Sequence, residues 1–243
     1  MIQIQEVTKK FGKLKALNNV SLSLEKGECL ALIGPNGCGK TTLIKSILGM
    51  VIPTDGKILF NQVDIKNNWQ YREEIGYMPQ IGRYPDNMTI GQVLSMMKDI
   101  RKSSNDRLDN EMAELFGISS LLNKKMSTLS GGTRQKVSAC LAFMFDPQVL
   151  ILDEPTAGLD PLSVELLKEK IRTEKAKNKL IIITSHVLSE LDDLVTQVVY
   201  MQEGQVAFHT TIEQLRMDTG EEKLSKAIAQ VMTGQQHKLV HHE

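Results

Sequence analysis

Apolar positions along the chain follow two different rhythms. Up to about residue 60 they come in short runs. Residues 2–7 alternate, 21–24 and 29–33 are brief apolar stretches parted by a Lys26-Gly27-Glu28 turn, and 56–60 and 75–78 continue the style. Such runs predict strands. A glycine-rich loop from Gly34 to Gly39 opens a predicted helix from about Lys40 to Leu48, stopped by Gly49. After about Arg83 the spacing becomes three or four, as in Val93, Leu94 and Met97, then Leu108, Met112 and Leu115. Polar breaks fall at Ser103-Ser104-Asn105 and Asn123-Lys124-Lys125. A helical subdomain over about 83–145 is expected, inserted into an α/β core. The core resumes with continuously apolar runs at 149–152 and 180–183, which suit parallel strands covered on both faces. Helices are expected after each run, at about 161–177 and 187–194. Alternating strands and helices imply a doubly wound sheet. The division expected is a main unit over 1–216 and a C-terminal helical extension with a loose tail over 217–243.

Composition narrows the class. The 243 residues are 41% hydrophobic, enough for a sizeable core, and carry a formal net charge of zero. A neutral balance gives no bulk attraction for nucleic acid, and none is expected as a partner. The longest apolar run, residues 139–145, falls far short of the roughly 20 residues that span a bilayer. The first residues alternate like a strand and show no secretory signal. If the protein works at a membrane, another chain must do the spanning. Three scattered cysteines, Cys29, Cys38 and Cys140, point to reduced thiols in a cytosolic compartment.

Gly34-Pro35-Asn36-Gly37-Cys38-Gly39-Lys40-Thr41 fits G-x-x-x-x-G-K-[ST], the Walker A loop, and lies between an apolar strand and a helix. Its glycines let backbone N–H groups turn toward phosphate oxygens without an obstructing side chain. The helix N-terminus adds partial positive charge. Lys40 is expected on the β- and γ-phosphates, Thr41 on Mg²⁺ and Thr42 toward the α-phosphate. The run 149–152 followed by Asp153 and Glu154 has the form of a Walker B strand. A strand ending in two carboxylates presents them at the sheet edge where open α/β sheets bind ligands. Asp153 is expected to hold Mg²⁺ through water, and Glu154 to act as general base on the attacking water. Together these define a P-loop nucleotide enzyme using ATP and Mg²⁺.

Leu129-Ser130-Gly131-Gly132-Thr133-Arg134-Gln135 begins a second helix with a serine and two glycines. That is another phosphate-facing helix start. One chain has a single γ-phosphate to contact, so a second such end suggests a composite site shared by two chains. An ordinary N-cap with flexible glycines is the plain alternative.

With these motifs in order, residues 1–215 resemble the nucleotide-binding domain of ABC transporters. The resemblance implies the ABC ATPase fold: a P-loop NTPase core with a mixed, largely parallel sheet, an antiparallel β subdomain and the inserted helical subdomain. It implies that Phe11 stacks on adenine and that Gln80 senses Mg²⁺ and the catalytic water while coupling to a membrane partner. Ser130, Gly131 and Gly132 become the signature that grips the γ-phosphate. Asp160 becomes the D-loop residue and His186 the switch histidine on the γ-phosphate. Thr133 stands where the commonest signature has Gln. The implied assembly is an ATP-sandwich homodimer on the cytoplasmic face of a membrane, driving a separate permease subunit of the ABC-2 type. Residues 129–137, 142–161 and 185–193 further resemble ATPases that serve copper-site maturation of nitrous oxide reductase. A soluble ABC ATPase of cluster or complex assembly is the alternative.

Other features are read plainly. Met96, Met97 and Met144 are core filler, and His237, His241 and His242 belong to a polar tail. Cys38 lies inside the phosphate loop. Thiol alkylation is expected to block ATP hydrolysis and bound ATP to protect, measured as residual turnover after reagent treatment with and without nucleotide.

Overall fold

In a computed structural model the chain forms two sheets with helices. It describes residues 1–101 and 108–240, with backbone alone for 233–240. The expected break at Ser103-Ser104-Asn105 lies outside the described residues, as do His241, His242 and the side chain of His237.

The first sheet is antiparallel, in the order β2 (Leu14–Leu24), β1 (Ile2–Phe11), β4 (Asp55–Phe60), β5 (Val63–Asp64). The second has the order β10 (Gln205–Thr211), β9 (Gln197–Gln202), β3 (Cys29–Ile33), β8 (Leu180–Thr184), β7 (Val149–Asp153), β6 (Ile75–Met78). All its neighbours pair in parallel except β10 with β9. The helices are α1 (Lys40–Ile47), α2 (Ile90–Arg101), α3 (Glu111–Leu115), α4 (Gly131–Phe143), α5 (Pro161–Ala176), α6 (Ile212–Thr219) and α7 (Leu224–Val240).

The continuously apolar runs have a structural cause. On β3, Cys29, Ala31 and Ile33 face one core, while Leu30 and Leu32 face another. On β7, Leu150 and Leu152 join the first core, and Val149 and Ile151 the second. Alternate side chains point to opposite faces of a strand, so a sheet covered twice must be apolar at every position. The first core packs against α2–α7, and the second against α1 and the antiparallel sheet.

Two sequence expectations change. Residues 187–194 form only a 3₁₀ turn, Leu188–Glu190, in place of a helix. The chain there makes successive i→i+3 bonds, Leu191 to Leu188 and Leu194 to Leu191, while Thr196 is already bonded to Cys29 at the start of β3. The tether leaves no length for a full helix before β9. The β9–β10 hairpin was not anticipated, although Val198–Met201 is apolar and Glu203-Gly204 makes the tight turn with positive φ at both residues. The 216/217 boundary falls inside α6, and α7 buries Leu224, Ala227 and Ile228 in the first core.

A buried charge network joins α5 to the helical insertion. The Lys170 side chain is wholly buried, and its ammonium reaches Asp109 (2.5 Å), Glu111 (2.6 Å) and Glu174 (3.0 Å). Glu174, also buried, receives Lys177 and Lys179 as well. Burial alone would raise the Glu174 pKa, but hydrogen bonds from these three lysines outweigh it and hold it at about 2. A carboxylate held that low stabilises the fold above its unfolded pKa, and the contribution disappears as pH falls through about 2. Lys170→Met leaves carboxylates without their buried partner and is expected to cost about 3–5 kcal/mol in urea unfolding at pH 7. The stability gap between wild type and Glu174→Gln should narrow as pH is lowered from 5 toward 2.

Candidate functional site

Four parallel strands end at the same edge of the main sheet. β3 leads into the Walker A loop, β7 ends at Asp153, β8 at Thr184, and β6 is followed by Pro79 and Gln80. A cavity of about 1000 Å³ opens there. Of the sequence-predicted residues, Phe11, Asn36, Gly37, Gly39, Lys40, Thr41, Thr42, Gln80, Asp153, Glu154 and His186 line it. Leu14, Lys15, Ala16, Glu203 and Gly204 line it too and were missed. Only Lys15 among these carries a charge suited to phosphate, and no motif marks it.

The phosphate loop is built on positive φ. Gly34, Gly37 and Gly39 have φ of 145°, 79° and 110°. A Cβ at Gly34 would sit 2.1 Å from the Met201 carbonyl oxygen, and one at Gly39 2.6 Å from that of Ala16. The Gly204 N–H donates to the Cys38 carbonyl, and the Asn18 N–H to the Gly204 carbonyl. The hairpin absent from the sequence reading is thus the buttress of the loop. Lys40 Nζ donates to the carbonyls of Gly34 (2.7 Å) and Pro35 (3.1 Å), which holds the ammonium across the loop. Gly34, Pro35 and Cys38 belong to the loop but do not line the cavity. The Cys38 thiol is buried, 3.8 Å from Lys40 Nζ.

The acidic side is organised by Thr184. Its hydroxyl donates to Asp153 Oδ1 (2.5 Å) and accepts from the Glu154 backbone N–H (3.0 Å). Glu154 has φ of 52°, a left-handed backbone that a residue with a Cβ adopts at a cost. Its Oε2 accepts the His186 backbone N–H and its Oε1 lies 3.2 Å from His186 Nε2. Burial, with the Asp153 charge adding, pushes the nearby Tyr77 hydroxyl up to about 12.

Thr41, Asp153 and Gln80 offer only oxygen donors (the amide oxygen for Gln80), which suits a hard cation. Among the described residues no cluster of three or more His, Cys, Asp or Glu forms a metal cage. The donor set fits Mg²⁺, which keeps several waters and is bound through one or two carboxylates, here Asp153, together with substrate phosphates.

Ser130, Gly131 and Gly132 lie outside the cavity wall. Ser130 caps α4, its hydroxyl oxygen accepting the Thr133 N–H (3.2 Å) and lying 2.9 Å from the Thr133 hydroxyl. Asp160 is also outside. It caps α5 through Ser163 and pairs with Lys136 of α4 at 2.8 Å. The Lys136 ammonium first, then the Ser163 N–H and hydroxyl, hold its carboxyl well below the usual range.

The ABC transporter family model matches residues 17–157. The chain belongs to the ABC transporter family. This cassette is an ATPase. It is 31% identical over 98% of its length to the Nod factor export ATP-binding protein I of Rhizobium meliloti, of which it covers 71%. It is 34% identical over 85% of its length to the lantibiotic transport ATP-binding protein SrtF of Streptococcus pyogenes, of which it covers 89%. A solved ATP-binding subunit of an ABC transporter superposes with a TM-score of 0.88 at 27% identity, covering 96% of this chain and 99% of that one.

Gly37 and Gly39 of the cassette both have positive φ, but an alanine at Gly39 adds a backbone clash, whereas Gly37→Ala meets nothing within 4 Å. Gly39→Ala is expected to weaken ATP binding by about 1–3 kcal/mol, and Gly37→Ala by clearly less. Titration with a fluorescent ATP analogue measures the difference.

Proposed function

We propose that this ATPase works as two copies closed on ATP and drives a separate membrane permease of the ABC-2 type from the cytoplasmic face. One observation carries the proposal. The loop, both carboxylates, Gln80 and His186 share one cavity, while the glycine-flanked start of α4 lies outside it. A second copy can bring that helix start to the γ-phosphate, which its own chain's cavity residues approach from the other side.

Within this scheme Lys40 and the loop N–H groups bind the phosphates, and Thr41, Asp153 and Gln80 would hold Mg²⁺. Bound Mg²⁺ neutralises charge on the β- and γ-phosphate oxygens. Phe11, half exposed on the cavity wall, offers a face for adenine. Glu154 accepts a proton from the attacking water, and His186 holds the carboxylate and faces the γ-phosphate. Ser130, Gly131 and Gly132 of the second copy exclude water as they close. Asp160 braces the start of α5. The nucleotide-binding unit takes in residues 1–216 together with the rest of α6, with 83–145 as its helical part.

Two relatives named for export or transport support the permease. No helix among the described residues is long and apolar enough to cross a membrane, so spanning falls to the permease. The finer assignment, to NosF of the NosDFY copper-site maturation system, rests on residues 129–137, 142–161 and 185–193 alone. Co-purification with a permease from copper-maturation-competent membranes tests it.

Glu154→Gln should lower turnover by about 10²-fold or more and trap an ATP-bound dimer, seen by size-exclusion chromatography with light scattering. A Glu154→Gln protein that stays monomeric at saturating ATP sinks the proposal.

A further inference from the structure

Helix α4 touches the segment carrying the proposed general base at three points. Gly132 packs so closely that a Cβ there would lie 2.6 Å from the Gly158 carbonyl oxygen. Gln135, buried, donates from Nε2 to the Glu154 carbonyl at 3.3 Å. Lys136 pairs with Asp160 at 2.8 Å. Positions 132, 135 and 136 are spaced i, i+3 and i+4, so they share one face of the helix. That face meets the loop from Glu154 to Asp160 at its start, its middle and its end. One turn on from Gln135, the same helix is tied to the segment after Gln80 through the Tyr84 hydroxyl and Ser138 at 2.8 Å.

The Gln135 contact falls where local restraint matters most. Glu154 is held in a left-handed conformation, and its backbone is fixed by Thr184 on the N–H side and by Gln135 on the carbonyl side. The turn that aims the carboxylate is therefore clamped from β8 and from α4 together. Ser130, at the N-cap of α4, stands just over one turn from Gln135.

We infer that α4 links the two nucleotide sites of the dimer, with Gln135 as the positioning residue that transmits the grip of Ser130 on one nucleotide to Glu154 at the other. The inference rests on the two-copy reading above. In a closed dimer, Ser130 serves the nucleotide held by the partner, whereas Gln135 supports the Glu154 of its own chain. A shift of α4 as Ser130 engages thus re-aims the base at the second site. The coupling needs no motion of the sheet, because all three contacts lie between one helix and one loop.

The test is steady-state ATP hydrolysis by the full chain carrying Gln135→Met, which keeps the side chain's length and removes its donor. Turnover should fall by about tenfold or more with KM for ATP changed less than about threefold, the pattern of an interaction that acts on the transition state. The Hill coefficient for ATP should fall toward 1. A merely structural role would lower the melting temperature and leave both the kcat-against-KM split and the Hill coefficient in place. Lys136→Met, at a partly exposed position on the same face, covers the case in which Gln135→Met does not fold, and should also lower the Hill coefficient. Dimerisation of Glu154→Gln in ATP is measured alongside. If that dimer fails to form, the two-copy reading falls and the linkage with it. If the dimer forms while both Met variants keep wild-type turnover and Hill coefficient, the linkage alone is overturned.

Discussion

A single hydroxyl sets the acidic half of the site. Thr184 donates to Asp153 and accepts from the Glu154 N–H, so one side chain at the end of β8 fixes two consecutive residues at the end of β7. The contact exists because β7 and β8 are parallel and in register, with Asp153 opposite Thr184. β3 lies on the other side of β8 and delivers the phosphate loop to the same edge. Were any of these strands reversed, its residues would leave at the opposite edge, and loop and carboxylates could not meet. The strained φ of Glu154 is sustained because hydrogen bonds from β8, α4 and His186 surround it.

The loop on the basic half depends equally on distant backbone. Carbonyls of Met201 and Ala16 occupy the space that side chains at Gly34 and Gly39 would need. The β9–β10 turn, through Gly204, bonds to Cys38 and Asn18. The shape of the loop thus rests on three segments far apart in the chain, and Gly34 and Gly39 are required by neighbouring backbone.

Rigidity elsewhere comes from charge as well as apolar packing. Lys170 is held among Asp109, Glu111 and Glu174, deep between α5 and the start of α3. Such a network adds little net stability over an apolar core, but it fixes the geometry of the inserted helices against α5. Since Asp160 caps α5 and pairs with Lys136, that geometry carries through to α4. The helical insertion, the start of α4 and the carboxylates are connected by specific polar contacts as well as by the continuous core.

The sequence by itself determined the nucleotide chemistry and most of the strands. The Walker A loop, the two carboxylates after an apolar run, and the runs at 29–33, 75–78, 149–152 and 180–183 are local patterns whose spacing carries their meaning. The glycine-flanked Ser130 was legible as a helix start for the same reason. Only the tertiary structure decided what lies beside what. It turned 187–194 into a short 3₁₀ turn because Thr196 is tethered to β3. It placed the 197–211 hairpin behind the Walker A loop, set Lys15 on the cavity wall, and left Ser130 outside that cavity. It also brought Gln135 to the Glu154 carbonyl. These are contacts between residues tens to hundreds of positions apart, fixed by strand order and register, and local periodicity carries no information about either.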